Sequence, residues 1–177
     1  MMRKEIRLAG TGGQGQILAG IILAEAAVVH DGVNATQTQS YGPESRGGAS
    51  RAEVIIATEP IDYPKVSQAD LLLCMSQEAY DKYRGQVKPD GLILVDETLV
   101  KAGDDAVIAP ITQTAREQLG RVIVANIVAV GIIVGMTQVV SEEAARKAIL
   151  GRVPAGTEEL NEKAFEAGLC LAEKLAR

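Results

Sequence analysis

Two short stretches carry residues whose types and spacing could do chemistry. In the first, "GTGGQG", Gly10, Thr11, Gly12, Gly13, Gln14 and Gly15 follow one another, and Gly10, Gly12 and Gly15 make G-x-G-x-x-G. Glycines so spaced allow a tight turn, bare backbone N–H groups against a phosphate, and close packing of a helix on a strand. The second, "YGPESRGG", places Tyr41, Glu44 and Arg46 among the small residues Ser45, Gly47 and Gly48. An acid and a base two residues apart need partners if they are sequestered. The small residues beside them let something bulky approach. This stretch is too long for a tight turn, and it is expected to be a contact loop for a ligand or a partner.

Other chemistries find less support. A dinucleotide site wants an acid about twenty residues after the glycines, to hold ribose hydroxyls. The corresponding segment reads "NATQTQS", with no Asp or Glu, and Asp31 comes too early. Ser40 or Ser45 as a nucleophile would need a base, but His30 is the only histidine and there is no G-x-S-x-G elbow. Two cysteines, Cys74 and Cys170, with one histidine cannot supply four ligands, so no iron–sulfur cluster or zinc ribbon is expected in this chain. Neither a catalytic residue nor a metal ligand is assigned.

The elements that must position these stretches can be read from periodicity. Residues 6–9 read as a strand ending at the glycines, and residues 14–30 as a helix apolar on nearly every side. Strands are expected at 33–38, 52–57 and 69–75. The last, "ADLLLCM", is a continuous apolar run suited to a strand buried on both faces. Ser76 should cap a short helix to about Tyr83, and "KPDG" should turn the chain into strands at 92–95 and 106–109. Helices are expected to about Leu119, over 126–138, from Ser141 and from Thr157, with "GRVPAG" as the one plausible hinge. Both 14–30 and 126–138 look too apolar to lie wholly in one small core, so exposed apolar surface and self-association are expected. Gly131 and Gly135, four apart, suit a close helix crossing, inside the domain or across an interface.

The 177 residues suit a single domain spanning the chain, with a helical extension from about 141. Apolar residues make up 47% and aromatics only 3%, so the core must be aliphatic, as when helices pack on a parallel sheet. The fold expected is α/β: an open, Rossmann-like, mostly parallel sheet with helices on both faces, and ligands at the carboxyl ends of its strands. A net charge of −5 with scattered Lys and Arg argues against a nucleic-acid partner. The charged start at 1–7 lacks a signal-peptide pattern, and the longest apolar stretch is short of a membrane span, so a cytoplasmic location is expected.

Together, "EIRLAGTGGQG", "QTQSYGPESRGGASRAEVIIA" and "IDYP" resemble the gamma subunit of 2-oxoacid:ferredoxin oxidoreductases. The resemblance is strong from Lys4 to about Val95. It implies a multi-subunit enzyme that decarboxylates a 2-oxoacid, forms an acyl-CoA and reduces ferredoxin. This chain would be an accessory α/β subunit, inactive alone. Thiamine diphosphate and magnesium would belong to alpha and beta partners, and iron–sulfur clusters to other chains such as a delta, ferredoxin-like subunit. Coenzyme A would be a co-substrate of the complex. Under that reading residues 10–15 are a phosphate, CoA or backbone-contact loop, and Tyr41 with 44–48 a partner or CoA-path loop. "QSYGPESRGGAS" is closest to the 2-oxoglutarate type; the pyruvate type tends to carry phenylalanine at Tyr41 and a second arginine near Ser45. The pyruvate, branched-chain and indolepyruvate types stay open. So do a free-standing nucleotide-binding protein and a purely structural interaction domain.

Overall fold

The structure, a computed structural model, describes residues 1–42 and 49–177. Glu44, Ser45, Arg46, Gly47 and Gly48 therefore lie outside the described residues. Strand β1 (Arg3–Thr11) leads into helix α1 (Gln16–Glu25), which runs on as a π-helical turn, Ala26–His30. Strands β2 (Asn34–Tyr41) and β3 (Ala49–Ala57) follow, then β4 (Ala69–Cys74), α2 (Gln77–Tyr83), β5 (Val87–Asp96) and β6 (Val107–Ala109). Helices α3 (Ile111–Glu117), α4 (Ala125–Thr137), α5 (Glu142–Arg152) and α6 (Glu158–Leu175) complete the chain.

The sheet order is β2-β3-β1-β4-β5-β6. The pairs β1–β4, β4–β5 and β5–β6 are parallel, so the α/β expectation holds. The sheet is mostly parallel, with one side in the other sense, where β3 is antiparallel to both β1 and β2. The run between β2 and β3 is far shorter than the dozen or more residues a parallel crossover needs, so the chain folds straight back. "KPDG" also departs from expectation. It lies inside β5 as an irregularity, where the register passes from Ala69↔Val87 to Leu71↔Leu92. Lys88 in this bulge reaches the Asp70 carboxylate at 2.9 Å.

The two faces of the sheet differ. Ile6 and Leu8 on β1 and Ala52, Val54 and Ile56 on β3 join α1, α3, α4, α5 and α6 in one aliphatic core. The alternate residues of the same strands include the charged Glu5, Arg7, Arg51 and Glu53. Arg7 and Glu53, 2% and 7% exposed, pair at 3.0 Å, and Arg7 also donates to Gln86 and to the Val66 carbonyl. The Arg7 guanidinium lies over the Tyr83 ring at 5.0 Å. Of the helices, the short α2 covers this face, over a smaller cluster of Leu72, Cys74 and Tyr80.

The apolar helices are a correction. α1 and α4 both belong to the single large core, and α4 is buried continuously from Ala125 to Val134. That burial is achieved by α6, which crosses α4 at Gly131 and Gly168. A Cβ built on Gly131 would stand 2.4 Å from the Phe165 carbonyl oxygen, and one on Gly168 2.2 Å from that of Val128. The close crossing expected of Gly131 is thus internal. Apolar side chains still reach water on the π-helical turn at Val28 and Val29, and at Leu99, Val122 and Ile123.

Candidate functional site

The carboxyl ends of β1 and β4 form a crevice, because α1 and α2 leave these neighbouring strands toward opposite faces. This is where an open α/β sheet binds ligands. The glycine loop fills it. Gly10 and Thr11 still belong to β1, paired with Ser50 and Ala49 of β3. Gly12 and Gly13 are exposed, Gly13 at φ 87° with open space around it. Gly15, at φ 80°, is the N-cap of α1, and no side chain caps that helix.

Gln14 has a mainly structural part. Its Oε1 accepts from the Thr11 N–H at 2.8 Å and from Gln16 Nε2 at 3.0 Å, while its Nε2 donates to the Met75 carbonyl at 2.9 Å. The side chain thus bolts the loop to the end of β4. Gly10 makes room for it, since a Cβ there would meet Gln16 Nε2 at 2.1 Å and Gln14 Oε1 at 2.3 Å. Of the six loop residues, Gly12 and Gly13 remain the most approachable.

Asn126, which interrupts the apolar run 122–136, holds the loop from the other side. Its Nδ2 donates to the Gly15 carbonyl at 3.2 Å, and a Cβ on Gly15 would stand 2.5 Å from that nitrogen. Asn126 therefore locks the start of α1 to the start of α4. Asp96, wholly buried at the end of β5, does similar work nearby. Oδ1 accepts from Thr98 N–H and hydroxyl and from Leu99 N–H, and Oδ2 accepts from Thr112 N–H at 2.6 Å. One carboxylate thereby shapes both the turn after β5 and the first turn of α3. Its position after "LILV" was the available signal in the sequence.

Two clefts meet at Gly13. One, of about 460 Å³, is walled by Met75, Leu99, Thr112, Arg116 and Ile123. The other, of about 380 Å³, is walled by Leu18, Arg121, Ile123, Asn126 and Asn161. Among the described residues neither lining contains an acid, although the chain carries a net charge of −5. Arg116 and Arg121 form no ion pair among the described residues. The edge therefore combines bare backbone, two arginines and an apolar rim. Such a surface suits an anionic ligand or a partner chain.

Of the second stretch, Tyr41 lies among the described residues. Tyr41 ends β2 at 67% exposure, opposite Ser50, which itself pairs with Gly10. The strand where a ribose-holding acid would sit is separated from the glycine loop by β3, a topological reason besides composition against a standard dinucleotide site. Among the described residues, no three or more His, Cys, Asp and Glu gather as a metal would require, and no helix is long and apolar enough to cross a membrane.

The sequence of residues 5–171 matches the family model for pyruvate ferredoxin/flavodoxin oxidoreductase. The chain belongs to that family. The subunit KorC of 2-oxoglutarate synthase from Methanocaldococcus jannaschii is 52% identical, over 98% of this chain and 96% of its own length. The crystal structure of a keto/oxoacid ferredoxin oxidoreductase gamma subunit from Geobacter sulfurreducens matches with TM-score 0.90 at 51% identity, over 99% of both chains. A 2-oxoglutarate:ferredoxin oxidoreductase from Magnetococcus marinus, solved with 2-oxoglutarate, coenzyme A and succinyl-CoA bound, matches with TM-score 0.86 at 22% identity. It covers 98% of this chain but 32% of that one, and it shows the fold alone. The resemblance drawn from the two loops is borne out, as is the α/β fold class.

Proposed function

We propose that this chain is the gamma subunit of a cytoplasmic 2-oxoacid:ferredoxin oxidoreductase acting on 2-oxoglutarate. The observation that carries the reading is the carboxyl edge of the sheet: two acid-free clefts with Arg116 and Arg121 on either side of exposed Gly13, rimmed by Leu99, Val122 and Ile123. The apolar rim is what a subunit presents to alpha and beta partners. The arginines and the uncapped start of α1 suit the phosphates of coenzyme A passing along that junction. In the complex, thiamine diphosphate with magnesium supplies the decarboxylation chemistry and iron–sulfur clusters carry electrons to ferredoxin; both belong to partner subunits, one of them a delta, ferredoxin-like chain. This chain contributes Gly12, Gly13, the two arginines and the 41–48 loop as contacts.

The test is purification of the complex from native cells, identification of the chains that accompany this one, and assay of ferredoxin reduction with 2-oxoglutarate, pyruvate and branched-chain 2-oxoacids. The expected result is a multi-chain enzyme fastest with 2-oxoglutarate, while the single chain shows no iron, no thiamine and no turnover. Recovery of this chain alone, or a clear preference for pyruvate, overturns the proposal. Arg121→Ala in the assembled enzyme should raise KM for coenzyme A about tenfold or more, as for loss of one charged hydrogen bond.

A further inference from the structure

The two edges of the sheet are finished differently. At one end β6 has three residues and stops at Pro110, the short, proline-ended form that discourages further pairing. At the other, β2 has eight residues, "NATQTQSY", with no charge, no proline and no break in register. Long, neutral, regular edges invite another strand.

The outward groups of β2 can be identified. The Gly42 N–H donates to the Ala49 carbonyl at 2.6 Å, in line with the β2–β3 register. In an antiparallel ladder, successive residues turn their backbone groups to alternate sides. Even-numbered residues of β2 therefore face β3, and Ala35, Gln37, Gln39 and Tyr41 present N–H and C=O outward. Among the described residues, no backbone bond beyond the sheet's own occupies them.

We infer that β2 pairs antiparallel with β2 of a second copy of this chain, about a two-fold axis through Thr38. In that register Gln37 faces Gln39 and Ala35 faces Tyr41 of the other copy, all with outward groups, so every hydrogen-bonded pair is satisfied. Between them Thr36 faces Ser40 and Thr38 faces Thr38, hydroxyl pairs that stabilise antiparallel neighbours. Glutamine meets glutamine across the seam, and no like charges are brought together. The strand is thus complementary to itself. Exposed Val28 and Val29, on the π-helical turn beside β2, would be covered by the neighbouring copy along the same seam. Thr36 Oγ1 is buried without a hydrogen-bond partner, a polar atom at this strand that the single chain leaves unsatisfied.

The test uses the full chain, in a Cys170→Ala background for cross-linking. Paired residues at the axis bring Cα atoms to about 4.5 Å, within the range a disulfide spans. Thr38→Cys should therefore give a covalent dimer on mild oxidation. Asn34→Cys should not, since its two copies would lie roughly 27 Å apart along the strands. By sedimentation, Thr38→Lys and Gln39→Pro should each weaken association about tenfold or more, with melting curves unchanged when parent and variants are compared as monomers at high dilution. Mixing Thr38→Lys with Thr38→Glu should restore the dimer, because position 38 meets itself. A monomer throughout, up to about 100 μM, overturns the inference. So does a dimer indifferent to Thr38→Lys and Gln39→Pro, or an edge that takes up only a strand of a different chain.

Discussion

Adding one methyl group at Gly168 should test the α4–α6 crossing. The Cβ would sit 2.2 Å from the Val128 carbonyl and 2.7 Å from Gly131 Cα, where ordinary contact begins near 3.4 Å. Both obstacles are backbone, so no side chain can swing aside, and α6 must back away by about 1 Å. A gap of that size forfeits a quarter to a half of the dispersion well for the atoms along the seam. Phe165 and Leu169 both lie on it, and because both obstacles are backbone the cost should exceed the usual ~1–3 kcal/mol of core overpacking, at about 3–4 kcal/mol. Alanine is about 1 kcal/mol better than glycine in a helix, which leaves a net loss of about 2–3 kcal/mol. For a domain of this size Tm should fall by about 5–10 °C. Gly151→Ala in α5 is the internal control. Its nearest neighbour is Glu25 Oε1 at 3.9 Å, so the helix gain stands alone and stability should rise by about 0.5–1 kcal/mol. Thermal and urea melts of both variants decide the matter. A Gly168→Ala chain as stable as the parent, or a Gly151→Ala chain that loses as much, refutes the reasoning. Gly131→Ala added to Gly168→Ala should cost less than the sum, because the first separation makes room for the second.

Glu53→Leu should leave Arg7 buried beside neutral groups and cost about 3–5 kcal/mol in urea melts, whereas Arg7→Met with Glu53→Leu should recover most of that loss. Burial, with Asp81 adding to it, pushes the Cys74 thiol up to about 12 from an ordinary 9.0. Alkylation near pH 8 followed by mass spectrometry should therefore mark exposed Cys170 and spare Cys74. The sign for stability follows, since the unfolded thiol ionises first. The contribution of Cys74 is full below about pH 9 and is lost as pH rises toward about 12.

The strands and helices with unmixed periodicity were legible to within a few residues. "ADLLLC" is a buried parallel strand, and Ser76 and Ser141 cap their helices at Ala79 and Ala144 as their types suggest. The direction of β3 went unread, because apolar pattern alone cannot show it; the shortness of the run before it was the signal. The glycine loop stands between β1 and α1 as its spacing suggests, but the inward turn of Gln14 was not legible, because a glutamine that braces backbone reads like one that meets a ligand. Asn126 looked like a blemish in an apolar run. Only tertiary contact, across 111 residues to Gly15, makes it a clasp. Arg116 and Arg121 were invisible for a similar reason: what distinguishes them is the absence of acid around them in space.

The doubly paired hairpin of β2 and β3 has a consequence for how this protein can vary. Residues 43–48 leave from Gly42 and return at Ala49, and each of these anchors is fixed by ladders that continue into β1. Length added to or removed from that tip changes closure entropy only slowly and cannot shift the register beneath it. Its anchors stand beside the glycine loop, Ala49 being paired with Thr11, so the stretch between them can be exchanged as a cassette. Lineages can rewrite what it touches without renegotiating the sheet, and an engineer could transplant it between relatives in the same way.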